Sequence, residues 1–245
     1  MKVIMAESYE DMSRRVAEII ASQISCKPKS VLGFATGSTP CGSYGELIRM
    51  YNEGKISFED IIAFNLDEYC GLDGNDMESY HYFMKKNLFE FVNIQEKNIH
   101  IPNGRCKDIE NECINYEKKI EEAGSIDLQL LGIGENGHIG FNEPDVKFEA
   151  HTHLVTLEEK TLKANSKFFN SYEEVPKTAI SMGIKTIMNA KKILLLGSGE
   201  KKAEVLNKMI YGEITPNLPA SILQLHSDVS IIVDKEAGKL LKKQV

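Results

Sequence analysis

The sequence lacks the features of a membrane, secreted or nucleic-acid-binding protein. No apolar run approaches the roughly 18 residues of a membrane span, and the N-terminus reaches Glu7 and Glu10 without the apolar core of a signal peptide. Acidic residues outnumber basic ones by 36 to 29, giving a net charge of −7. This charge argues against a nucleic-acid partner but permits a local positive cluster that binds a phosphorylated substrate. We therefore expect a cytoplasmic protein without membrane contact.

Cysteine is too sparse and scattered to form a disulfide framework or a zinc site. The chain has five cysteines, an odd number, and no two of them have the C-x-x-C spacing. Free thiols in a reducing compartment are the simplest interpretation. We expect no metal site.

The sequence also lacks internal repeats and Pro/Gly-rich linkers, so we predict one domain over residues 1–245. Short apolar runs alternate with helical patterns, which is typical of βαβ units. The prediction is a Rossmann-like α/β fold, an open and doubly wound, mainly parallel sheet with helices on both faces. Predicted strands are 30–35, 61–66, 126–131, 192–196 and 229–233, and predicted helices are 8–24, 41–51, 78–92, 109–122 and 201–211.

A turn rich in glycine and hydroxyl groups, GFATGSTP at residues 33–40, joins the first of these strands to the second helix. Its exposed backbone N–H groups and the helix N-terminus can cradle a phosphate. We predict Ser38 or Thr39 as the helix cap, with Pro40 in the first turn. The G-K-[ST] ending of a nucleoside-triphosphate loop is missing. A simple capped turn without a ligand is the alternative.

Adjacent carboxylates follow the second predicted strand in the motif FNLDEY, residues 64–69. If the strand continues through them, Asp67 and Glu68 point to opposite sides, and only one faces a cleft. A carboxylate at a strand end in a partly desolvated cleft can act as a general base on a carbon-bound proton. The alternative is a solvated acid in a turn.

The motif GIGENGHIGFNEP, residues 132–144, places a histidine and a carboxylate five positions apart. His138 and Glu143 can form an acid–base pair near neutral pH. The motif also matches the G-x-G-x-x-G loop of dinucleotide-binding proteins, which requires a helix to begin inside the loop. Gly140 and Pro144 oppose a helix, so we favour a loop that presents Asn136, His138 and Glu143 to a small polar substrate. A purely structural turn is the alternative.

The stretch 151–176 is polar and weakly patterned. It is either a mobile flap over the site or an ordinary surface excursion, and the sequence leaves both open.

Taken together, the motifs resemble the glucosamine-6-phosphate deaminase family, the glucosamine/galactosamine-6-phosphate isomerases. The motifs that carry the resemblance are ATGSTP at 35–40, FNLDEY at 64–69, GENGHIGFNEP at 134–144 and NSKFF at 165–169. The resemblance covers the chain from near its N-terminus to about Val233. It implies conversion of D-glucosamine 6-phosphate and water into D-fructose 6-phosphate and ammonia, without a metal or redox cofactor.

The resemblance also implies residue roles. His138, oriented by Glu143 and helped by Asn136, would open the pyranose ring, and Asp67 would carry the C2 proton to C1. The residues implied for phosphate binding are Gly37, Ser38, Thr39, Lys167 and Lys202. A one-residue shift in the alignment would select Lys201 instead of Lys202.

Three features depart from the family pattern. Many members have aspartate where this chain has Asn136, which orients by hydrogen bonding but carries no charge. Lys167 replaces a frequent arginine and offers a point charge instead of a bidentate fork. The sequence stops short of the C-terminal tail of the allosteric hexameric members. We therefore expect a monomer or small homo-oligomer, and the sequence leaves activation by N-acetylglucosamine 6-phosphate open.

Two other functions remain as alternatives. One is a 6-phosphogluconolactonase-like hydrolase, whose fold looks related and whose corresponding loop usually differs after the Gly-His pair. The other is a non-catalytic sugar-phosphate sensor, which normally accompanies a DNA-binding domain for which this chain has no room. Residues 140–144 and the joint presence of Asp67, His138 and Glu143 favour the deaminase.

Overall fold

The computed structural model describes residues 1–242. The strands are β1 (Lys2–Met5), β2 (Val31–Phe34), β3 (Ile62–Asn65), β4 (Asp67–Tyr69), β5 (Ile99–His100), β6 (Leu128–Gly132), β7 (His153–Thr156), β8 (Thr178–Ser181), β9 (Ile193–Gly197) and β10 (Val229–Val233). The α-helices are α1 (Tyr9–Cys26), α2 (Cys41–Asn52), α3 (Tyr80–Asn87), α4 (Ile109–Glu122), α5 (Glu159–Asn165), α6 (Ile184–Met188) and α7 (Ala203–Tyr211).

Seven strands form one parallel sheet in the order β1-β10-β9-β6-β2-β3-β5. A second, three-stranded sheet has the order β4-β8-β7 and is antiparallel. The main sheet confirms the predicted α/β fold with a mainly parallel sheet. The antiparallel sheet is an addition that the sequence patterns did not predict.

The main sheet is buried on both faces, which explains its nearly continuous apolar strands. In β9, Ile193 and Leu195 pack into the core that contains α4, α6 and α7. Leu194 and Leu196 point the other way, into the core that contains α1, α2 and α3. Helices therefore cover both faces, as predicted for a doubly wound sheet.

The predicted cap of α2 is wrong. Pro40 occupies the N-cap position, and no side chain accepts a hydrogen bond there, so neither Ser38 nor Thr39 caps the helix. The hydroxyl of Tyr9 on α1 instead accepts the N–H of Gly42, at 2.9 Å, in the first turn of α2. A distant side chain supplies the missing acceptor, which a local pattern cannot indicate.

Two predicted helices are shorter than expected. The helix predicted over 78–92 ends at Asn87, because Leu88 leaves the helical region with φ −147° and ψ −59°, and a separate 3-10 turn spans Phe89–Phe91. The helix predicted over 201–211 begins as a 3-10 turn at Glu200–Lys202 and becomes α7 at Ala203.

The stretch 151–176 contains more regular secondary structure than its sequence pattern indicates. It contains β7, which pairs with β8, and then α5. β7 lies at the edge of a small sheet and alternates between half-buried and exposed residues, so its sequence lacks the apolar run of a buried strand. Whether the stretch moves as a flap stays a prediction. The one-domain prediction includes residues 243–245, which lie outside the described residues.

The described residues bear on two further predictions. All five cysteines are free thiols, as expected. No helix within residues 1–242 is both long enough and apolar enough to cross a membrane.

One buried carboxylate ties together the starts of three neighbouring strands. Asp127, whose side chain is 4% exposed, accepts hydrogen bonds from the N–H of Val31 at 2.8 Å, Lys27 Nζ at 2.6 Å and Lys191 Nζ at 2.7 Å. Burial alone would raise the pKa of Asp127, but the bonds from Lys191, Lys27 and Val31 lower it below its usual value. The carboxylate is therefore ionised in the folded protein and stabilises it.

We expect Asp127→Asn to lower the free energy of unfolding by about 1–3 kcal/mol at neutral pH, because hydrogen bonds to the charged oxygens are lost. Since the folded-state pKa is depressed, this stabilisation is present above the unfolded pKa and disappears as the pH falls below about 4. Urea unfolding across pH tests this. The exposed Asp60, changed to Asn, is the control. An equal loss at all pH values would contradict the prediction.

Candidate active site

Asp67 lies at the carboxyl end of the main sheet, two residues beyond the end of β3, and is the first residue of β4. Its side chain is buried, at 5% exposure, so the alternative of a solvated turn acid is wrong. Glu68, its neighbour on β4, has different surroundings, because its carboxylate accepts the backbone N–H groups of Tyr69, Tyr80 and His81 at 2.8–2.9 Å. The two carboxylates thus lie in different surroundings, as expected if successive strand residues point to opposite sides.

Asp67 has no such hydrogen-bond donors. Within residues 1–242, no N–H or O–H group donates to its carboxylate. Burial, and then the charge of Glu68, raise the pKa of Asp67 to about 8. A buried carboxylate without donors is a strong proton acceptor once it is ionised.

His138 and Glu143 form the predicted pair. The Nδ1 atom of His138 lies 3.2 Å from Oε2 of Glu143, and the backbone of the loop folds back so that Gly134 N–H donates to the His138 carbonyl at 2.9 Å. The ring lies directly over Gly134, where an added Cβ would be 2.5–2.6 Å from three of its atoms. With Nδ1–H directed to Glu143, Nε2 remains to exchange a proton with a ligand.

Glu143 is held by donors on both oxygens. Thr161 Oγ1 donates to Oε1 at 2.5 Å, and Asn136 Nδ2 donates to Oε2 at 2.7 Å. The side chain is only 6% exposed. Burial acts to raise the pKa of Glu143, but the bonds from His138, Thr161 and Asn136 outweigh it and lower that pKa. Glu143 is therefore an ionised partner for the imidazole.

Asn136 makes its hydrogen bonds to the backbone of the histidine loop and to two carboxylates. Its Oδ1 accepts the backbone N–H of His138 at 3.2 Å, and its Nδ2 donates to Glu143 and, at 2.9 Å, to Glu158 Oε2. The amide therefore fixes the loop and the Glu143 carboxylate, without a hydrogen bond to the imidazole.

The predicted phosphate loop lies between β2 and α2, at the same edge of the sheet. Gly37 has φ +94°, a conformation that glycine adopts without strain. Ser38 is exposed, and Thr39 is half-buried, so their hydroxyls are accessible to a ligand. The loop precedes a twelve-residue helix, whose N-terminus adds positive potential.

The lysines of this region differ in their burial. Lys202 is half-buried, and burial lowers its pKa, with further lowering from the charges of Lys201 and Lys167 against an opposing effect of Glu135. Lys201 is exposed, and its Nζ lies 3.8 Å from Glu135. Lys167 is exposed on a 3-10 turn, and its Nζ lies 4.8 Å from the ring centre of Phe168. Lys167 is thus near enough to Lys202 for its charge to lower the pKa of Lys202.

The dinucleotide alternative is wrong. After the glycine loop, residues 139 and 142 form an isolated bridge and Gly140 has φ +57°. The next helix along the chain begins only at Glu159, so no helix begins inside this loop, as dinucleotide binding would require. Among residues 1–242, no group of three or more His, Cys, Asp or Glu side chains is arranged to hold a metal ion.

An open parallel sheet with polar side chains at its carboxyl edge is the arrangement of α/β proteins that bind small ligands at strand ends. The chain belongs to the family described as glucosamine-6-phosphate isomerases/6-phosphogluconolactonase, whose sequence profile matches residues 5–232.

Relatives and solved structures agree with this membership. A relative from Clostridium acetobutylicum, named glucosamine-6-phosphate deaminase, is 59% identical over 98% of this chain and 100% of its own. Another of that name, from a Thermoanaerobacter species, is 57% identical over 98% of this chain and 95% of its own. A solved structure of a monomeric glucosamine-6-phosphate deaminase matches with TM-score 0.96 and 48% identity, covering 98% of this chain and 100% of that one.

A more distant structure shares the fold alone. The 6-phosphogluconolactonase from Leishmania guyanensis matches with TM-score 0.77 at 20% identity, over 98% of both chains. It therefore carries no argument about the activity of this chain.

Sequence reasoning missed several side chains around the site. Thr161 and Glu158 lie in the stretch without a clear pattern, and nothing in the sequence singles out Thr161. Asn165 and Tyr69 lie inside the motifs NSKFF and FNLDEY, and this position in the motifs could have identified them as residues near the site. Asn165 Nδ2 donates to the Tyr69 hydroxyl at 2.8 Å.

We expect Asp67→Asn to stabilise the fold while it removes the proton acceptor. Because the folded-state pKa is raised to about 8, the stability of the wild type falls as the pH rises from about 4 to about 8. The variant avoids this loss, and should be roughly 2–5 kcal/mol more stable near pH 9, with a smaller gap near pH 5. Urea unfolding at both pH values measures the difference. A gap that narrows as the pH rises would contradict it.

We expect Gly134→Ala to displace the imidazole of His138. The backbone of Gly134 does not require positive φ, so an alanine fits the main chain, but its methyl group overlaps the ring. Loss of one positioned acid–base group should lower kcat by roughly ten- to a hundred-fold. Gly45→Ala on α2, where nothing lies within 4 Å, is the matched control. Wild-type kcat in a folded Gly134→Ala protein would contradict the prediction.

Proposed function

We propose that this protein converts D-glucosamine 6-phosphate and water into D-fructose 6-phosphate and ammonia. The observation that carries the proposal is the pair of unlike buried carboxylates, Asp67 without a hydrogen-bond donor among the described residues and Glu143 held by donors against His138. The pKa is accordingly raised at Asp67 and lowered at Glu143. Sites that separate the pKa values of two acids assign them different tasks. The names of the relatives support the same reaction.

Ring opening is the task of His138. The imidazole takes the proton of the anomeric hydroxyl and returns it to the ring oxygen, which yields the open-chain aldehyde. Glu143 holds the imidazole ring through Nδ1 and stabilises the imidazolium that forms. This leaves Nε2 to exchange the proton with the substrate.

Isomerisation is the task of Asp67. Its ionised carboxylate takes the C2 proton while the C1 oxygen takes a proton from the substrate's ammonium group, which leaves a neutral enolamine. Asp67 then returns its proton to C1, which leaves an iminium group at C2. Water adds at C2 and passes a proton to the nitrogen. The C2–N bond then breaks, the C2 hydroxyl loses its proton to the departing ammonia, and the ketose forms. The burial of Asp67 keeps bulk water from solvating the base.

The phosphate group gives the substrate its orientation. We assign it to the backbone of Gly37 and Thr39, the Ser38 hydroxyl, and the ammonium groups of Lys167 and Lys202. The burial of Lys202 and the exposure of Lys201 favour Lys202 over its neighbour. Two lysines that repel each other gain from a shared dianion.

The stretch 151–176 acts as a flap in this proposal, since it contains Thr161, which holds Glu143, and Lys167. The free thiols fit a cytoplasmic setting. The monomeric solved relative supports a monomer as the working unit.

We expect the purified protein to release ammonia and fructose 6-phosphate in equal amounts from glucosamine 6-phosphate, without added metal. Coupled detection of both products at neutral pH measures this. Hydrolysis of 6-phosphogluconolactone, measured in parallel, should not exceed the uncatalysed rate.

Asp67→Asn is the control for the assignment of the base. The variant should neither release ammonia nor exchange the C2 hydrogen with deuterated water. Folded wild-type protein that forms neither product would overturn the proposed function. Normal C2 exchange in the variant would overturn the role of Asp67.

A further inference from the structure

Helix α5 carries none of the residues assigned to proton transfer, yet it contacts two parts of the site. Thr161 and Asn165 lie four residues apart on it, and so share one face of the helix. Each makes a hydrogen bond to a different neighbour across this face.

The contact of Thr161 reaches the acid–base pair. Thr161 is buried, and its hydroxyl is the one donor to Oε1 of Glu143 within the described residues. The other oxygen is shared by Asn136 and His138. Without the Thr161 hydroxyl, only Oε2 of the Glu143 carboxylate is held by hydrogen bonds. The carboxylate can then turn while it keeps those bonds, and the imidazole of His138 loses a fixed partner.

The contact of Asn165 reaches the strand of the base. Its amide donates to the hydroxyl of Tyr69, which is buried on β4 two residues after Asp67. The Tyr69 ring also packs edge-on against Phe169, with 5.7 Å between ring centres. Lys167 lies between these two contacts along the chain, so Tyr69 fixes the chain on both sides of that lysine.

We propose that Thr161 and Tyr69 are positioning residues that dock α5 by two separable contacts. Thr161 positions Glu143 for ring opening, and Tyr69 positions Lys167 for phosphate binding. This inference rests on the proposed function, because the two contacts serve its two requirements.

Thr161→Val tests the first contact. The variant keeps the shape of the side chain and loses the hydroxyl, so kcat for ammonia release should fall roughly ten-fold, equivalent to ~1.4 kcal/mol. The KM should stay within about two-fold, because substrate binding is not involved. Thr161→Ser restores the donor and should restore kcat. Unchanged kcat in Thr161→Val, or no rescue by serine, would overturn the role of Thr161.

Tyr69→Phe tests the second contact. The ring packing remains, and the hydroxyl loses the bond from Asn165 together with the longer one from the Tyr80 hydroxyl, at 3.4 Å. Because only the Asn165 bond reaches α5, the Kd of fructose 6-phosphate, measured by calorimetry, should rise roughly ten-fold. The kcat should stay within about two-fold. Tyr116→Phe is the matched control, because it removes an equally buried hydroxyl that bonds only to the carbonyls of Asn65 and His100. Tyr116→Phe should lower the free energy of unfolding without changing the Kd of fructose 6-phosphate.

Asn165→Leu provides a second approach to the Tyr69 contact. The double variant with Tyr69→Phe should bind no more weakly than either single variant, because all three lack the same bond. An unchanged Kd in Tyr69→Phe and Asn165→Leu, or additive losses, would overturn the role of Tyr69.

The wild type distinguishes this inference from the proposed function. Wild-type protein that neither releases ammonia nor binds fructose 6-phosphate contradicts the proposed function. Wild-type protein that does both, with variants indistinguishable from it, contradicts only the positioning roles.

Discussion

The site depends on the unequal treatment of two buried carboxylates. Glu143 has donors on both oxygens and stays ionised. Asp67 has none among the described residues, and its burial raises its pKa to about 8. A buried charge costs several kcal/mol unless hydrogen bonds compensate it. The fold meets that cost at Glu143, which contacts the histidine proposed for ring opening, and leaves it unmet at Asp67, the proposed base.

The two sheets explain how both acids come to one place. The parallel sheet brings the end of β3 and the loop after β6 to the same edge, with β2 between their strands. The antiparallel sheet then covers this edge, because β4 carries Asp67 and pairs with β8. Phe141, next to Gly140 in the histidine loop, donates its N–H to Ser181 of β8 at 3.0 Å. The covering sheet therefore both buries Asp67 and anchors the loop that contains His138.

What the sequence predicts well are features with a local cause. Strands β6, β9 and β10 are buried on both faces, so their apolar runs identify them without other information. The His138–Glu143 pair is predictable because its members are five residues apart. The contacts between Thr161 and Glu143, 18 residues apart, and between Asn165 and Tyr69, 96 apart, depend on how the chain folds back. No periodicity or motif spacing indicates such contacts. For the same reason the sequence did not predict β7, or the hydrogen bond from the Gly42 N–H to the Tyr9 hydroxyl at the start of α2.

The neutral side chain at position 136 follows from its neighbours. The amide of Asn136 is a donor to the carboxylates of Glu143 and Glu158 at 2.7 and 2.9 Å, so two negative groups converge on one NH₂ group. An aspartate here would be a third acceptor with no proton to offer, and like charges at this distance raise each other's pKa. Glu143 would then lose part of the ionisation that orients the imidazole. In this chain, the asparagine amide therefore acts with His138 and Thr161 to keep Glu143 charged, and its second N–H satisfies Glu158.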